Sequence, residues 1–294
     1  MHPGLNWLSR RPLRLLHAVG GWLGWLPYLL SPSYRRRLQQ NAALAGLGAS
    51  QRRAAVAEAG RMVLELPRLW LRHAEQPIED PLQWDNAELI EQLLAQGRGL
   101  ILLTPHLGSF EVAAQAYAQR FGALKPMTAL YRPARQPWLR ELEAQARARP
   151  GLLTAPANLA GVRQLLRALR RGETLGMLPD QVPPDGLGVW APFFGAPAYT
   201  MTLVARLLQQ TDAAVCLIWV ERRPRGGGYV VHVRPLPTPL PTRPLPASAE
   251  AEQAWLLAST TVLNQAMEWV IRQLPTQYLW GYHRYKRPRQ GTGT

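Results

Sequence analysis

The sequence predicts an α/β fold with a mixed, mostly parallel sheet that is covered by helices on both faces. From residue 99 onward, short apolar segments alternate with amphipathic segments at helical spacing. Single helices between strands are typical of a parallel sheet. Two later apolar segments are separated only by the turn-forming stretch RRPRGGG at 222–228, which predicts an antiparallel hairpin added to that sheet.

The predicted elements continue from residue 38 as one domain, 38–294. Residues 38–75 are alanine-rich and amphipathic, so we expect a helical cap at about 38–80. The proline-rich stretch 235–246 is incompatible with helix and central strand, which predicts a stiff surface connector. Strands are expected at 99–103, 127–131, 152–155, 174–178, 214–221 and 229–233, and helices at about 109–120, 137–149, 159–170, 200–210 and 249–274.

The N-terminal segment, residues 1–37, is predicted to contain a hydrophobic, membrane-associating helix with basic flanks. Residues 13–30 are mostly apolar, and arginines precede and follow them. As a helix over 7–26, the segment has one narrow stripe of polar or small residues, which suits an interfacial anchor or a short single span. A helix buried under the domain is the alternative. The stripe consists of Arg10, Arg14, His17, Gly21 and Gly24.

The charge composition indicates anionic partners. The chain has 34 Lys+Arg against 19 Asp+Glu, a net charge of +15. Nucleic acid, an anionic membrane or an acidic carrier protein would each satisfy this excess. No zinc-finger spacing, ribonucleoprotein-type aromatic motif or long basic block is present, which argues against nucleic acid, while 11 tryptophans favour a membrane interface.

The segment TPHLGSFE at 104–111 is the strongest candidate for chemistry. His106 follows the predicted strand 99–103, and ligands bind outside the carboxyl ends of parallel strands. With Ser109 as the N-cap of the next helix, Glu111 lies in the first turn and can accept a hydrogen bond from His106. We therefore predict a general base, His106, oriented by Glu111, with a structural histidine at a strand end as the alternative.

The sequence offers this base no covalent nucleophile. No serine lies in a GxSxG motif, and the single cysteine, Cys216, is expected to be a buried, unreactive thiol in the middle of a strand. HExxH and CxxC motifs are absent, which argues against a metal site, and no cofactor is predicted. The base is therefore expected to deprotonate a substrate hydroxyl directly, as in acyl transfer without an acyl-enzyme.

Four sequence blocks resemble the late acyltransferases of lipid A biosynthesis, the lauroyl and myristoyl transferases of Gram-negative bacteria. TPHLGSFE is similar to the HX4(D/E) motif of the glycerolipid acyltransferase superfamily, which includes that family. The other blocks occur in the family's order: LYRP at 130–133, LPDQVPPDGLGVWAPFFGAPAYT at 178–200 and QYLWGYHRYKRP at 277–288.

The resemblance implies a membrane-associated O-acyltransferase, peripheral or single-pass, at the cytoplasmic face of the bacterial inner membrane. It implies an acyl carrier protein thioester as the donor, the 3-hydroxyl of a hydroxyacyl chain on a lipid A precursor as the acceptor, and no nucleic acid partner. It also implies functional residues at Arg147 and Asp180, with Arg132 in the LYRP block. Phe193 and Phe194 are candidates for an acyl pocket, with core packing as the alternative.

Other interpretations of these residues remain open. Arg149 is the alternative match to Arg147, and Asp180 is expected either to hold an arginine and shape the site or to be a simple turn residue. Four arginines on one predicted helix are candidates for docking the acidic carrier protein, and an ordinary solvated face is the alternative. These are Arg163, Arg167, Arg170 and Arg171.

Two further functions are compatible with the sequence. Transfer from a coenzyme A thioester to a lysophospholipid or glycolipid would use the same base chemistry. A non-catalytic basic membrane-binding protein would account for the charge and the N-terminal segment, but it would give His106 and Glu111 no role in function.

Overall fold

The computed structural model of the protein describes residues 3–131, 134, 136–242 and 248–289, and it confirms the α/β fold. A seven-stranded, mostly parallel sheet has the order β1-β9-β8-β2-β5-β3-β4, and β6 and β7 form a separate hairpin. The strands are β1 Leu82–Asp85, β2 Leu100–Leu103, β3 Met127–Tyr131, β4 Leu152–Pro156, β5 Thr174–Met177, β6 Gly188–Phe193, β7 Ala196–Met201, β8 Ala214–Arg222 and β9 Tyr229–Pro235.

The parallel part of the sheet brings five carboxyl ends to one edge. Strand β2 runs parallel to both β5 and β8, and β3 runs parallel to both β5 and β4. The predicted hairpin is confirmed, because β8 and β9 pair antiparallel. Strand β1 pairs with β9 and was not predicted, since LQWD is short and only partly apolar.

Helices cover both faces of the sheet. Alternate residues of the buried strand β2 point into two different cores, with Ile101 and Leu103 in one and Leu100 and Leu102 in the other. The helices are α1 Pro3–Ser9, α2 Leu13–Leu23, α3 Trp25–Leu30, α4 Pro32–Leu44, α5 Ala49–Trp70, α6 Glu88–Ala95, α7 Phe110–Phe121, α8 Pro137–Arg147, α9 Leu159–Arg170, α10 Leu203–Gln210 and α11 Ala249–Gln273.

The N-terminal segment forms three short helices instead of the one predicted over 7–26. Helix α2 packs against α5, with Gly20 and Gly24 meeting Gly60 at backbone contact. A Cβ atom on Gly60 would lie 2.1 Å from the carbonyl oxygen of Gly20, so this approach requires glycine. Of the predicted stripe of polar or small residues, His17, Gly21 and Gly24 are buried against α5, whereas Arg10 and Arg14 are exposed.

The opposite side of the N-terminal helices carries exposed apolar side chains. Within the ranges described, no helix is both long enough and apolar enough to cross a membrane. The exposed side chains are Trp7, Leu15, Val19, Trp22, Leu23, Leu26, Leu29 and Leu30.

Two other regions differ from the predictions. The cap consists of two helices, α4 and α5, and the predicted helix at 200–210 begins only at Leu203, because the residues before it complete the β6–β7 hairpin. Within the proline-rich connector, 243–247 lie outside the described residues.

Candidate active site

His106 and Asp180 occupy equivalent positions on two neighbouring strands. His106 lies three residues beyond Leu103, the end of β2, and Asp180 lies three residues beyond Met177, the end of β5. Leu103 and Met177 are partners in the parallel register, and the Thr104 amide donates to the Met177 carbonyl at 3.1 Å. Equal offsets from paired strand ends therefore bring the two side chains together at the carboxyl edge of the sheet.

Asp180 holds His106 through both carboxylate oxygens. Its Oδ1 lies 2.7 Å from Nδ1 of the His106 ring, and its Oδ2 accepts the backbone N–H of His106 at 2.9 Å. Burial opposes ionisation of Asp180, but His106 and the nearby Arg284 outweigh it and hold the pKa of this carboxyl below its ordinary value. The ionised carboxylate thus fixes the orientation of the ring.

The predicted hydrogen bond between His106 and Glu111 is wrong, since Asp180 takes that position. Glu111 does lie in the first turn of α7, but its Oε1 accepts from Nη2 of Arg147 at 3.1 Å and its Oε2 from the Trp70 indole at 3.3 Å. Sequence proximity favoured Glu111, whereas the strand register places a carboxylate 74 residues away closer to the ring.

The second ring nitrogen of His106 faces Gln181. Gln181 Nε2 lies 3.0 Å from His106 Nε2, and the Phe110 ring packs edge-on against the imidazole with 4.9 Å between centroids. In the neutral tautomer that donates Nδ1–H to the ionised Asp180, the lone pair lies at Nε2 and accepts from the Gln181 amide. Nε2 is therefore the atom that can take a proton from a substrate.

The backbone of the 104–111 segment is fixed on both sides of His106. The His106 carbonyl accepts from the Leu279 amide at 3.1 Å, and Gly108 donates to the Gln277 carbonyl at 2.9 Å. Gly108 has a φ of +59°, and a Cβ there would lie 1.9 Å from the Val220 carbonyl oxygen. Only glycine fits this turn, so the segment holds His106 in one place.

A buried ionic cluster lies behind the same segment. Glu65 accepts from Arg222 with both carboxylate oxygens, at 3.0 and 3.1 Å, and also from the Ser109 hydroxyl at 2.5 Å. His17 Nε2 lies 3.0 Å from Glu65, and Arg222 also donates to the Gly108 carbonyl at 2.9 Å. Burial opposes ionisation of Glu65, but Arg222 and His17 outweigh it and hold its pKa below the ordinary value. We missed this cluster because its members come from α2, α5 and β8.

Arg147 and Arg149 have different environments. Arg147 bonds to Glu111, stacks over the Tyr131 ring with 4.5 Å to the centroid, and lies 3.8 Å from the Glu143 carboxylate. Arg149 is buried and donates to carbonyl groups at the end of α5 and at Ala146, which makes it a structural clamp. Of the two matches, Arg147 is thus the one connected to the TPHLGSFE segment.

The remaining predicted residues that the structure describes lie in the core or on the exposed face of α9 and its C-cap. Arg132 lies outside the described residues. Phe193 and Phe194 are 1% and 6% exposed and pack in the core with Trp280, so they do not line an open acyl pocket. The arginines of α9 and its C-cap, Arg163, Arg167, Arg170 and Arg171, are exposed.

The side chains of Cys216 and Ser109 are both buried and do not face the candidate site. Cys216 is fully buried in β8, and burial raises the pKa of its thiol to about 12. Ser109 is 1% exposed and its hydroxyl donates to Glu65. Neither of these side chains is placed to act as a nucleophile beside His106.

A sequence pattern exists that could have identified Asp180 and Gln181. LLTPH and GMLPDQ both have an apolar strand, then a proline, then a polar side chain at the third position beyond the strand. The pattern indicates a shared site only if β2 and β5 are neighbours, and two strands separate them along the chain.

The fold and the site define an α/β protein with a histidine–aspartate pair at the carboxyl edge of its sheet. The family model described as bacterial lipid A biosynthesis acyltransferase matches residues 7–287, and the chain belongs to that family.

Characterised relatives carry related names. The chain is 28% identical over 205 residues to the lipid A biosynthesis lauroyltransferase of Escherichia coli K12, and 26% identical over 208 residues to its palmitoleoyltransferase. Each match covers 69% of this chain but only 61% and 62% of those relatives. A lipid A biosynthesis acyltransferase of Haemophilus influenzae is 25% identical over 296 residues, covering 96% of this chain and 88% of the relative.

Proposed function

We propose that the protein is an O-acyltransferase that moves a fatty acyl chain from an acyl carrier protein thioester to the 3-hydroxyl of a hydroxyacyl chain on a lipid A precursor. The observation that carries this proposal is the His106–Asp180 pair, in which Nδ1 of the ring lies 2.7 Å from Oδ1 of the carboxylate. The chain's membership of the lipid A biosynthesis acyltransferase family supports the same reaction. The relatives' names, which refer to lipid A biosynthesis, support lipid A as the acceptor.

In the proposed reaction, Nε2 of His106 removes the proton of the acceptor hydroxyl. The oxygen then attacks the thioester carbonyl carbon, and the tetrahedral intermediate collapses by breaking the C–S bond. The departing thiolate takes the proton back from the imidazolium, so His106 ends the cycle neutral. Asp180 is the positioning residue that holds the ring and stabilises its charged form, a role that we had assigned to Glu111. The N-terminal amides of α7 or an arginine would stabilise the oxyanion.

Glu111 and Arg147 are proposed to support substrate binding. Glu111 orients the Arg147 guanidinium, whose Nη1 is buried and makes no hydrogen bond to the described residues. The Tyr131 ring and Glu143 complete this cluster at the ends of β3 and α8. A guanidinium held in this way suits a phosphate or carbonyl oxygen of a substrate.

The N-terminal helices are proposed to bind the surface of the inner membrane on its cytoplasmic face. Helices α2 and α3 expose large apolar side chains, for example Trp22 at 83% and Leu30 at 73%. Arginines flank these helices at 10–14 and 35–37, where anionic headgroups would neutralise them. An apolar face with basic flanks is typical of a helix that lies in the interface plane.

Helix α9 is proposed as a docking surface for the acidic carrier protein. It begins just after the carboxyl end of β4, at the edge where His106 lies, and runs toward the opposite edge. Arg163 is therefore nearer the site than Arg170, by about 10 Å along the helix axis. Arg171 already pairs with Glu173 at 2.6 Å, so Arg163 and Arg167 are the better candidates.

An assay with purified protein tests this function. Acyl carrier protein and coenzyme A thioesters are offered as donors, each with a lipid A precursor or a lysophospholipid as the acceptor, and products are identified by mass spectrometry. We expect a product one acyl group heavier from the carrier protein thioester and the lipid A precursor. Turnover only with coenzyme A and lysophospholipid would overturn the proposal in favour of the other acyltransferase activity.

A matched pair of variants separates base chemistry from general damage. His106→Ala removes the proposed base, and His73→Ala removes an exposed histidine three residues beyond the end of α5. We expect transfer to be lost only in the first variant. Full transfer activity of His106→Ala would refute the proposed mechanism.

A further inference from the structure

The side chain of Gln181 is hydrogen-bonded to Nε2 of His106, the nitrogen that must act as the base. Its amide nitrogen lies 3.0 Å from Nε2, and Asp180 holds Nδ1 at 2.7 Å. Because Nε2 carries a lone pair, only the N–H side of the amide can bond to it. Both ring nitrogens of His106 are thus hydrogen-bonded before any substrate binds.

A substrate hydroxyl must take the position beside Nε2 that the Gln181 amide holds. Proton abstraction requires the hydroxyl oxygen at about 2.6–3.2 Å from the base nitrogen, and the Gln181 amide nitrogen already lies within that range. The lone pair of Nε2 points in one direction, so it accepts from the amide or from the hydroxyl but not from both. Substrate binding therefore requires that the amide leave.

The surroundings of Gln181 allow its side chain to move while its backbone stays in place. On one side Asp180 is buried against His106, and on the other the Val182 amide donates to the Tyr282 hydroxyl at 3.0 Å. Pro183 and Pro184 follow and fix their own φ angles. The Gln181 side chain is only partly buried, and its amide oxygen makes no hydrogen bond to the described residues.

We propose that Gln181 is a further catalytic residue, whose amide caps Nε2 of His106 in the free enzyme and is displaced by the acceptor hydroxyl. The proposal rests on His106 being the base of the proposed function. The exchange breaks one N–H···N hydrogen bond and forms one O–H···N hydrogen bond, with no covalent change. The cap occupies the lone pair of Nε2 and so excludes water and other proton donors from it until an acceptor arrives.

Chemical modification of His106 tests the cap without requiring turnover. Diethyl pyrocarbonate reacts with an unprotonated imidazole nitrogen, and trypsin releases 99–120 as a peptide in which His106 is the only histidine. The rate of modification at pH 8 is measured by mass spectrometry for wild type, Gln181→Ala and Gln96→Ala. Gln96 is an exposed glutamine at the C-terminal end of α6, and its substitution is the matched control.

We expect Gln181→Ala to be modified about fivefold faster than wild type, because one hydrogen bond no longer competes for Nε2. Gln96→Ala should match wild type. A lipid A precursor should slow modification in every variant that binds it. Equal rates of His106 modification in wild type and Gln181→Ala, with circular dichroism showing both proteins folded, would refute the proposal that Gln181 caps Nε2.

The pH dependence of Gln181→Glu gives an independent readout. A carboxylate at this position cannot donate to Nε2, but it accepts from the imidazolium and stabilises it. We expect the acidic limb of kcat/KM to move to higher pH by about one unit or more. A rate that is lower at every pH with an unmoved limb would indicate a structural role and overturn the proposal.

The two proposals fail in distinguishable ways. If His106→Ala retains transfer, the proposed function fails whatever the modification rates are. If His106→Ala is inactive but Gln181→Ala shows wild-type modification and Gln181→Glu an unmoved acidic limb, only the role of Gln181 fails.

Discussion

Two histidine–carboxylate pairs contact the 104–111 segment, and their comparison shows what makes such a pair chemically useful. His106 and Asp180 are joined at 2.7 Å, and His17 and Glu65 at 3.0 Å. The side chain of His106 is 18% exposed, whereas that of His17 is 3% exposed. The bond lengths are similar, so access to the histidine distinguishes the two pairs.

The carboxylates of the two pairs have different partners. Asp180 holds one ring and one backbone amide, which leaves the imidazole oriented at the edge of the sheet. Glu65 is shared among His17, Ser109, Arg222 and Tyr229, which connects α2, the 104–111 segment, β8 and β9. We conclude that the first pair is suited to proton transfer and the second to holding the segment that carries it.

The sharpest test of this contrast is the removal of His106, the more accessible of the two histidines. His106→Ala should lower acyl transfer by about 10²–10⁴-fold, since a positioned general base contributes about that factor. The urea midpoint should stay close to that of wild type, because the ring is partly exposed. A large loss of stability together with the loss of rate would mean that His106 resembles His17 and is structural.

The next largest effect is expected in the buried cluster. Arg222→Met leaves Glu65 buried without its main positive partner and should lower the free energy of unfolding by about 3–5 kcal/mol, because both side chains are almost inaccessible. Urea unfolding followed by circular dichroism measures this change. The double variant Glu65→Leu and Arg222→Met should recover part of the loss. A single variant as stable as wild type would show that the cluster does not hold the segment.

A smaller, pH-dependent effect is expected for Asp180→Asn. The pKa of Asp180 is below its ordinary value in the folded protein, so its ionised form contributes stability above the ordinary carboxyl pKa, and this stability is lost as the pH falls through the folded pKa. Wild type should therefore lose stability below about pH 4, and the variant should lose less. Acyl transfer should also fall, since asparagine does not fix the same tautomer. If wild type and Asp180→Asn lost stability over the same acidic pH range, the claim that Asp180 is ionised in its pair with His106 would be contradicted.

The smallest change in stability is expected on the exposed side of α2, the helix that carries His17. Trp22→Ser should change the free energy of unfolding by about 0.5 kcal/mol or less, because the indole is 83% exposed. Binding to phosphatidylglycerol vesicles, measured by co-sedimentation, should weaken about tenfold because an interfacial anchor is lost. Leu124→Ser, an exposed apolar residue near the amino end of β3, is the control and should bind as wild type does. Equal vesicle binding by Trp22→Ser would argue against the proposed membrane surface.

The fold was largely predictable, and the reasons are local. Strand β2 is a run of four apolar residues with a glycine before it and a threonine–proline pair after it, and the 214–221 and 229–233 segments are joined by a glycine-rich turn. Such patterns depend on neighbouring residues only. Strand β1 and the β6–β7 hairpin were not predicted, because their sequences are short or interrupted by proline and take their form from pairing partners.

The candidate site was only half predictable for the same reason. His106 was identified from its position after a strand, which is local information. Its partner was assigned to Glu111 because that carboxylate lies five residues away in the sequence, yet Glu111 orients Arg147. Gln181 follows a strand at nearly the same offset as His106, but this pattern indicates a shared site only once β2 and β5 are known to be neighbours. Glu65 and Arg222 reach the 104–111 segment from distant parts of the chain, and no spacing in the sequence indicates that they do.

The sequence by itself determined that His106 and Asp180 each follow an apolar strand by the same short offset, and that α2 has one stripe able to pack closely. The tertiary structure decided that β5 lies beside β2 in register, so that the equal offsets meet, and that the glycines of α2 face α5. The physical reason is that a side chain's direction is set by its own backbone, whereas its partner is set by which strands and helices bury their apolar faces together.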